Sequence, residues 1–338
     1  MNSSILQLAL DLGTRLRERK LQCSVAESCT GGGLAAAITA IEGSSQWFER
    51  GFVTYSNEAK EEMLGVDHQV LSAHGAVSQE TAQEMAQGAI LNSNADISVA
   101  ITGIAGPGGG TKEKPIGTVW IACAGNLKPI KTQQFLFQGD RSSVREQAVK
   151  TALQGLIERC REPVQSSNSN DRYFFALYPS SQKARELHQQ TSSMLEKVQC
   201  KPMPIEKLHL TLVYLGQVLD SAIQDCVEMA AQLKGEKFIL EINDDGHWQH
   251  NKIRWLGIKQ APKELLDLVN GLKKIAISAG FKPERRCFAP HITIARDCQE
   301  VQGRISNTVV WEVSDFCLVK SITENPSRYE IIQRWGLV

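Results

Sequence analysis

Two short segments in the second half of the chain repeat the pattern His-x-Thr-x. One contains His209 and Thr211, and the other contains His291 and Thr293. Alternate residues of a β-strand point to the same face, so each histidine shares a face with its threonine while the Leu or Ile between them points to the core. A single histidine in a strand is usually structural, but this repeat indicates chemistry.

Two histidines suit a reaction at phosphorus. With pKa values near about 6.5, one imidazole can take a proton from the attacking oxygen while the other protonates the leaving oxygen on the opposite side. Each threonine hydroxyl would bind a non-bridging oxygen, and Arg296 would offset the charge of the transition state. The pattern predicts cleavage or formation of a phosphodiester through a 2′,3′-cyclic phosphate, with no metal ion.

Contacts to an RNA chain have a weaker signature. Basic residues that precede the histidines would add positive charge nearby; they are Lys201, Lys207, Lys282, Arg285 and Arg286. Three aromatic residues are candidates for stacking on a base, although each is equally expected in a core: Tyr214, Trp248 and Phe288. We expect any RNA contact to be local.

The first half carries two Gly-rich segments, each after a predicted strand. Residues 27–33 follow a short strand around Val25, and residues 102–110 follow a buried-type strand over 97–101. Such turns leave backbone N–H groups for a phosphate or an oxyanion, although many only let a helix pack closely on the sheet. Arg141, just before a predicted helix over 142–159, would grip a phosphate or pair with a neighbouring carboxylate.

Lys60 is a candidate base in the first half. Tyr55 ends a predicted strand, and Asn57 is the expected N-cap of the helix whose first turn holds Lys60. A lysine near the positive end of a helix has a lowered pKa and can act as a base towards a nearby hydroxyl, as in Ser–Lys amidases. The alternative is an ordinary surface lysine.

Five blocks of the first half together resemble the CinA C-terminal domain family of nicotinamide-nucleotide amidases. They are AESCTGG at 26–32, GSS at 43–45, YSNEAK at 55–60, GIAGP at 103–107 and GDR at 139–141. The resemblance implies hydrolysis of the carboxamide of nicotinamide mononucleotide to nicotinate mononucleotide and ammonia. It implies Ser45 as the nucleophile, with Ser28 as the alternative, Lys60 as the base and Tyr55 positioning or relaying the proton. It further implies substrate contacts from Ser28, Thr30, Thr102, Gly103 and Arg141, with Arg141 on the phosphate.

The second half resembles the 2H phosphoesterases, most closely the bacterial 2′-5′ RNA ligases. The matching blocks are HLTL at 209–212, DDGHW at 244–248, RWLG at 254–257 and HITI at 291–294. The resemblance implies a bilobal α+β fold with a pseudo-twofold axis and a cleft between the lobes. It also implies His209 as the acid and His291 as the base, with roles that exchange when the reaction reverses.

Composition limits the classes of protein that fit. The chain has 338 residues, 37 Lys and Arg against 37 Asp and Glu, and nine cysteines. Balanced charge argues against a general nucleic-acid or membrane-surface binder, and scattered cysteines without a C-x-x-C pair predict reduced thiols. The N-terminal residues are too polar for a signal peptide, and no apolar run approaches about 18 residues. We expect a cytoplasmic protein with no membrane partner and no cofactor.

The polar segment 162–171, EPVQSSNSND, predicts a linker between two domains. Residues 1–161 would form an α/β amidase domain, with helices on a mostly parallel or mixed sheet, that also mediates a homo-oligomer. Residues 172–338 would form an α+β phosphoesterase domain acting on RNA ends or 2′,3′-cyclic phosphates. The alternative is that one half alone is catalytic and the other is an RNA- or nucleotide-binding module.

Overall fold

The computed structural model describes residues 2–125, 128–161, 171–195, 199–216, 220–284, 287–298, 304–305, 307–322 and 328–338. The chain divides into two compact units, residues 1–165 with 276–285 and residues 166–275 with 286–338. The predicted linker lies outside the described residues except for Asp171, so its boundaries stay a prediction. Of the helices within these ranges, none combines the length and apolar character needed to cross a membrane.

The first unit is built on a five-stranded sheet. Its strands are β1 (Cys23–Glu27), β2 (Phe48–Val53), β3 (Ile97–Gly103), β4 (Thr118–Gly125) and β5 (Lys131–Leu136). Its helices are α1 (Ser3–Arg19), α2 (Gly33–Thr39), α3 (Asn57–Leu64), α4 (His68–His74), α5 (Gln79–Leu91) and α6 (Arg141–Arg161). The strand order is β2-β1-β3-β4-β5, in which the first three are parallel and the last two antiparallel to their neighbours.

Both faces of this sheet are covered, because its central strands are apolar on both sides. Val25, Val99 and Ile121 share one core with α1, α2 and α6, whereas Ala26 and Ala100 share a second core with α5. Small residues on the second face let α5 approach the strands closely. The layered α/β class with a mixed sheet is therefore confirmed.

The second unit is built on antiparallel strands. They are β6 (Arg172–Leu177), β7 (Lys201–Pro202), β8 (Leu210–Gly216), β9 (Phe238–Ile242), β10 (Asp244–Trp248), β11 (Ile253–Gly257), β12 (His291–Arg296), β13 (Val309–Val313), β14 (Asp315–Ile322) and β15 (Arg328–Gly336). The helices that begin in this unit are α7 (Ser181–Leu195), α8 (Asp220–Ala230) and α9 (Lys263–Ser278).

One sheet of the second unit holds eight strands, in the order β10-β11-β12-β8-β6-β14-β15 with β7 added beside β12, and β13 pairs with β9 separately. The two strands that carry the His-x-Thr-x repeats, β8 and β12, are neighbours at the middle of this sheet. Antiparallel strands with helices confirm the α+β class.

Candidate active sites

The first candidate site lies where three parallel strands of the first unit end. Ser28 follows β1, Thr54 follows β2, and Thr102 is near the end of β3. The backbone N–H of Thr54 donates to the Glu27 carbonyl at 2.8 Å, and that of Ser28 donates to the Ile101 carbonyl at 3.0 Å. The carboxyl ends of parallel strands meet at one edge of a sheet, where ligands commonly bind in α/β folds. The three hydroxyl residues therefore share that edge.

The amine of Lys60 reaches the same edge from α3. The side chain is fully enclosed, with 0% of the residue exposed. Its Nζ lies 3.3 Å from Ser28 Oγ, 2.9 Å from the Thr54 carbonyl oxygen and 3.2 Å from the Ser56 carbonyl oxygen. Burial lowers the pKa of Lys60 from its usual value, because the charged form loses hydration. The alternative of a surface lysine is wrong.

The cap of α3 fixes where Lys60 lies. Ser56 is the N-cap, and its Oγ accepts a hydrogen bond from the backbone N–H of Ala59 at 3.0 Å. The predicted cap at Asn57 was therefore wrong by one residue. The Ser56 carbonyl accepts from Lys60 twice, from its backbone N–H at 3.4 Å and from its Nζ. The start of the helix thus positions the amine.

The turn that presents Ser28 is held from two sides. The buried carboxylate of Glu27 accepts hydrogen bonds of 3.0 and 2.8 Å from two backbone N–H groups at the start of α2. The guanidinium of Arg145, on α6, donates to the Thr30 carbonyl at 2.6 and 3.2 Å. Burial raises the pKa of the adjacent Cys29 thiol to about 11, so Cys29 stays protonated near neutral pH and is a poor nucleophile.

Two fully buried hydroxyls beside Ser28 have no hydrogen-bond partner among the described residues. They are the Oγ1 atoms of Thr30 and Thr54, both on residues with 0% exposure. A buried hydroxyl left unpaired costs about 1–3 kcal/mol. Each hydroxyl therefore needs a partner that the described residues do not supply.

Arg141 joins two loops at the same edge. Its guanidinium donates to the Tyr55 hydroxyl and to the Gly106 carbonyl, each at 2.8 Å. Tyr55 is 61% exposed and its hydroxyl is engaged by Arg141. A proton relay from Tyr55 to Lys60 stays a prediction.

Thr102 and Gly103 end β3 beside these loops. The Thr102 hydroxyl donates to the Ala76 carbonyl at 2.6 Å, so it holds the segment before α5. A Cβ at Gly103 would lie 2.7 Å from the Thr118 carbonyl oxygen, so only glycine fits there without movement of the backbone. Their predicted contacts with substrate stay predictions.

Ser45 lies at the opposite edge of the sheet. It is exposed in the 3-10 turn Ser44–Gln46, just before β2 begins. The six residues of β2 separate this turn from Thr54, and at about 3.3 Å per residue that distance is about 20 Å. The predicted pairing of Ser45 with Lys60 is wrong, because strand β2 carries the chain away from Ser45 before it reaches the lysine. Ser28 is the serine that Lys60 contacts.

The second candidate site lies on β8 and β12. Leu210 lies opposite Ile292 in the antiparallel pair, and both are buried. The residues on either side of this buried pair point to the opposite face of the sheet. There, each histidine lies across from the threonine of the other motif. The facing pairs are His209 with Thr293 and His291 with Thr211. All four side chains are partly buried, so two motifs distant in the chain converge on one face.

The two imidazole rings are oriented in the same way. Nδ1 of His209 lies 2.7 Å from the Lys207 carbonyl oxygen, and Nδ1 of His291 lies 2.7 Å from the Ala289 carbonyl oxygen. A carbonyl only accepts, so we assign the proton to Nδ1 in both rings. Nε2 is then the nitrogen that exchanges protons with a substrate.

Aromatic rings surround His209. Its ring centroid lies 5.1 Å from that of Phe174, 5.3 Å from Tyr178 and 5.4 Å from Tyr329. His291 contacts Trp248 edge-on at 4.5 Å. The two histidines therefore have unequal surroundings.

The pKa of His209 reflects this enclosure. Burial lowers it to about 4, the backbone hydrogen bond to Lys207 opposes the shift, and the nearby charges of His291 and Arg296 lower it further. His209 is therefore neutral near pH 7 in the free protein.

A β-bulge positions Arg296. Along β11 and β12, Arg254 pairs with Ala295 but the next residue, Trp255, pairs with Thr293, so Ile294 is an extra residue in β12. A bulge shifts the alternation by one position. Arg296 is exposed and returns to the face of the histidine and threonine, which agrees with its effect on the pKa of His209.

The predicted RNA-contacting cations have varied surroundings. Lys207 lies 5.4 Å over the Tyr329 ring, and Lys201 forms a 2.7 Å ion pair with Asp297. Lys282 belongs to the first unit. Arg285 and Arg286 lie outside the described residues. Phe288 is partly buried, as is Trp248.

Within the described ranges, no group of three or more His, Cys, Asp or Glu could hold a metal ion.

Comparison with known proteins identifies the first half. Residues 5–160 match the family model of the CinA C-terminal domain. The nicotinamide-nucleotide amidohydrolase PncC of Escherichia coli K12 is 52% identical over 158 residues, which cover 47% of this chain and 96% of that protein. The chain belongs to the CinA C-terminal domain family. The PncC protein of Pseudomonas putida is 49% identical over 154 residues, 46% of this chain and 96% of that protein.

The second half matches another family. Residues 177–255 and 256–327 match the model of the LigT-like phosphoesterases. The chain therefore joins a CinA C-terminal domain to a LigT-like domain, and the matches support a bifunctional hydrolase. Among solved structures, E. coli LigT complexed with 3′-AMP is 28% identical with a TM-score of 0.47, covering 50% of this chain and 98% of that chain. CihA of Agrobacterium tumefaciens is 44% identical with a TM-score of 0.46, covering 47% and 97%.

Sequence reasoning missed several residues that shape the two sites. In the CinA C-terminal domain these are Thr54, Glu27 and Arg145, and in the LigT-like domain they are Phe174, Tyr178 and Tyr329. Thr54 stands between Val53 and Tyr55 in a strand-like run, where a threonine looks like any β-former. Phe174 lies on β6, Tyr178 directly follows it and Tyr329 lies on β15; all three are remote in the chain from His209, so no local pattern links them to it.

Proposed function

We propose that the CinA C-terminal domain hydrolyses the carboxamide of nicotinamide mononucleotide and that the LigT-like domain acts on RNA 2′,3′-cyclic phosphates. The names of the PncC relatives support the first activity. The facing His and Thr residues of β8 and β12 support the second. The observation that carries the amidase proposal is the contact between the Lys60 amine and the Ser28 hydroxyl.

The three oxygen neighbours of Lys60 fit a neutral amine acting as base. Two are carbonyls, of Thr54 and Ser56, and can only accept; the third is the hydroxyl of Ser28, which can also donate. A neutral amine has two N–H donors and one lone pair, so its donors would go to the carbonyls and its lone pair would accept the serine proton. The lowered pKa of Lys60 favours this form.

Ser28 would attack the carboxamide carbon as its proton passes to Lys60. Lys60 would then donate that proton to the departing nitrogen, which leaves as ammonia, and water would hydrolyse the acyl-enzyme with Lys60 again as base. The unpaired hydroxyls of Thr30 and Thr54 would bind polar atoms of the substrate, with Thr102 and Gly103 lining the same edge. Two N–H groups of Arg141 are engaged by protein oxygens, which leaves others of its five donors for the phosphate.

Ammonia release from nicotinamide mononucleotide tests this proposal. Ser28→Ala should abolish it, whereas Ser45→Ala, at the other edge of the sheet, should retain wild-type kcat within about twofold. Both variants should keep full activity on cyclic phosphates, which controls for the amount of intact chain, and a native circular dichroism spectrum serves as the folding control. If Ser45→Ala lost the amidase activity and Ser28→Ala kept it, the proposed nucleophile would be wrong.

In the LigT-like domain, the two histidines would act on opposite sides of one phosphorus. Neutral His209 would accept a proton from the attacking water, and His291 would protonate the leaving 3′ oxygen, giving a 2′-phosphate. This assignment reverses the roles implied by the family resemblance, because the low pKa of His209 suits a base in the hydrolytic direction. Thr211 and Thr293 would bind non-bridging oxygens, and Arg296 would offset the transition-state charge.

A 5′-hydroxyl attacking in place of water would join the 2′,3′-cyclic phosphate end to a second RNA as a 2′-5′ linkage, with His209 again as the base and the 3′ oxygen leaving. In the reverse of that ligation, the 3′-hydroxyl would attack and His209 would protonate the leaving 5′ oxygen. Hydrolysis can be assayed with adenosine 2′,3′-cyclic phosphate, and ligation with a short RNA bearing the cyclic end and a second RNA bearing a 5′-hydroxyl. His209→Gln and His291→Gln should each lower hydrolysis by at least about 100-fold and leave ammonia release unchanged. Full hydrolysis by either variant would refute two-histidine catalysis.

The same paired assays test the alternative that only one half is catalytic.

We further propose that the chain is cytoplasmic and that the CinA C-terminal domain mediates a homo-oligomer. Light scattering of the intact chain and of Ser28→Ala would measure the assembly, and a monomer at micromolar concentration would refute it.

A further inference from the structure

β8 carries the same irregularity as β12. Along the pairing of β6 with β8, Ala176 lies opposite Thr211, but the preceding residue of β6, Phe175, lies opposite Val213. Leu212 is therefore an extra residue in β8, and the alternation of faces shifts by one position there.

The two bulges occupy equivalent places. Leu212 is the fourth residue of the first motif, and Ile294 is the fourth residue of the second. Each bulge returns the sixth residue of its segment to the face of the histidines; these residues are Tyr214 and Arg296. A ring contact agrees with this face, because Tyr214 lies opposite Phe174, and the ring of Phe174 packs on His209.

Tyr214 differs from the other aromatic residues on this face. It is 41% exposed, and no ring pair among the described residues includes it. Phe174 and Trp248, by contrast, pack against a catalytic histidine. An exposed aromatic ring on the reactive face has the chemistry of a stacking platform, because every nucleobase presents a π-face.

We propose that Tyr214 stacks on the nucleobase of the nucleotide whose cyclic phosphate lies between the histidines. The inference rests on the proposed phosphodiesterase activity. Thr211 lies opposite Ala176 and Tyr214 opposite Phe174, two residues apart on β6, which is about 7 Å along the strand at about 3.3 Å per residue. That spacing places the ring beyond the phosphate, where the base of a bound nucleotide would extend.

The opposite end of the site is cationic. β8 and β12 are antiparallel, so Arg296 extends from Thr293 in the direction opposite to that from Thr211 to Tyr214. Lys207 lies towards the Arg296 end, just before His209. The site is thus polarised, with an aromatic end for a base and a cationic end for the phosphodiester that continues the RNA chain.

Two substrates separate stacking from phosphate chemistry: adenosine 2′,3′-cyclic phosphate and 1-O-methylribose 2′,3′-cyclic phosphate, which lacks a base. Base–aromatic stacking is worth about 5- to 150-fold in affinity. Tyr214→Ala should therefore raise KM for the adenosine substrate by about that factor with kcat within about twofold, and leave KM for the base-free substrate unchanged. Tyr214→Phe keeps the ring and should restore wild-type KM. Ile239→Ala, which truncates a 54% exposed side chain on β9, is the matched surface control.

The outcomes separate the two proposals. If the wild-type protein hydrolysed neither substrate, the phosphodiesterase proposal would fail, and this inference with it. If the wild type hydrolysed both substrates and Tyr214→Ala raised KM for neither, or equally for both, Tyr214 would not be a base platform while the phosphodiesterase proposal stood. Failure of Tyr214→Phe to restore KM would likewise exclude stacking and indicate a role for the hydroxyl.

Discussion

Replacing His209 with glutamine should make the LigT-like domain less sensitive to acid. The pKa of His209 is lowered from 6.5 to about 4, chiefly by burial among aromatic rings. An unfolded chain would protonate this residue near pH 6.5, whereas the folded chain resists protonation until about pH 4. Between those values the unfolded state binds more protons, so stability falls as the pH falls.

The size of the effect follows from the shift. At about 1.4 kcal/mol per pKa unit, a fall from 6.5 to about 4 corresponds to about 3 kcal/mol. This contribution is fully present above about pH 6.5 and is lost by about pH 4. Since a glutamine cannot be protonated, His209→Gln should lose about 3 kcal/mol less than the wild type over the same interval.

Two measurements check this expectation. Urea unfolding at a series of pH values gives the free energy of unfolding of each variant, with His291→Gln as the matched control. NMR titration of histidine Cε1–H signals, with the His209 signal assigned by its absence in His209→Gln, gives the pKa directly. A titration midpoint of 6 or above for His209, together with parallel curves of unfolding free energy against pH for the wild type and His209→Gln, would refute the reasoning.

Three further predictions concern other parts of the chain. Amidase activity should fall as the pH is lowered through the pKa of Lys60, which lies below its ordinary value, since the base must be neutral; Lys60→Met should abolish ammonia release at every pH and keep a native circular dichroism spectrum. Arg254→Met would leave the buried Asp245 carboxylate without its 2.5 Å ion-pair partner, so the free energy of unfolding of the LigT-like domain should drop by about 3–5 kcal/mol, and an unchanged melting temperature would contradict this. Gly103→Ala would press a Cβ to 2.7 Å from the Thr118 carbonyl oxygen and should cost about 1–3 kcal/mol, measured by thermal unfolding of the CinA C-terminal domain.

Much of the first unit could be predicted from local patterns. The start of α5 is an example, because Ser78 caps it by accepting a hydrogen bond from the Thr81 N–H at 3.1 Å. Capping and apolar periodicity act over a few residues, so a short window contains the information. Which serine meets Lys60 depends instead on the direction of β2 in the sheet, and no spacing in the sequence reveals that direction.

The second unit shows the same contrast between features set by local sequence and features set by contacts remote in the chain. The sequence places His209 and Thr211 on one face by alternation, and their convergence with the second motif followed from the repeat. The aromatic enclosure of His209 comes from strands β6 and β15, which are remote in sequence, so its lowered pKa could not be predicted. The role of acid assigned to His209 by resemblance therefore rested on a protonation state that only packing determines.

The paired bulges of β8 and β12 bear on how the proposed two-histidine site could be copied into another protein. Transplanting only the four-letter signature into an ideal hairpin would reproduce the histidines and threonines but bury the side chains two positions later. A designer would have to transfer each six-residue segment together with the bulge that it contains. Substitutions that keep the backbone of the bulge should therefore be tolerated, whereas a change that straightened either six-residue segment into regular alternation would turn Tyr214 or Arg296 towards the hydrophobic interior.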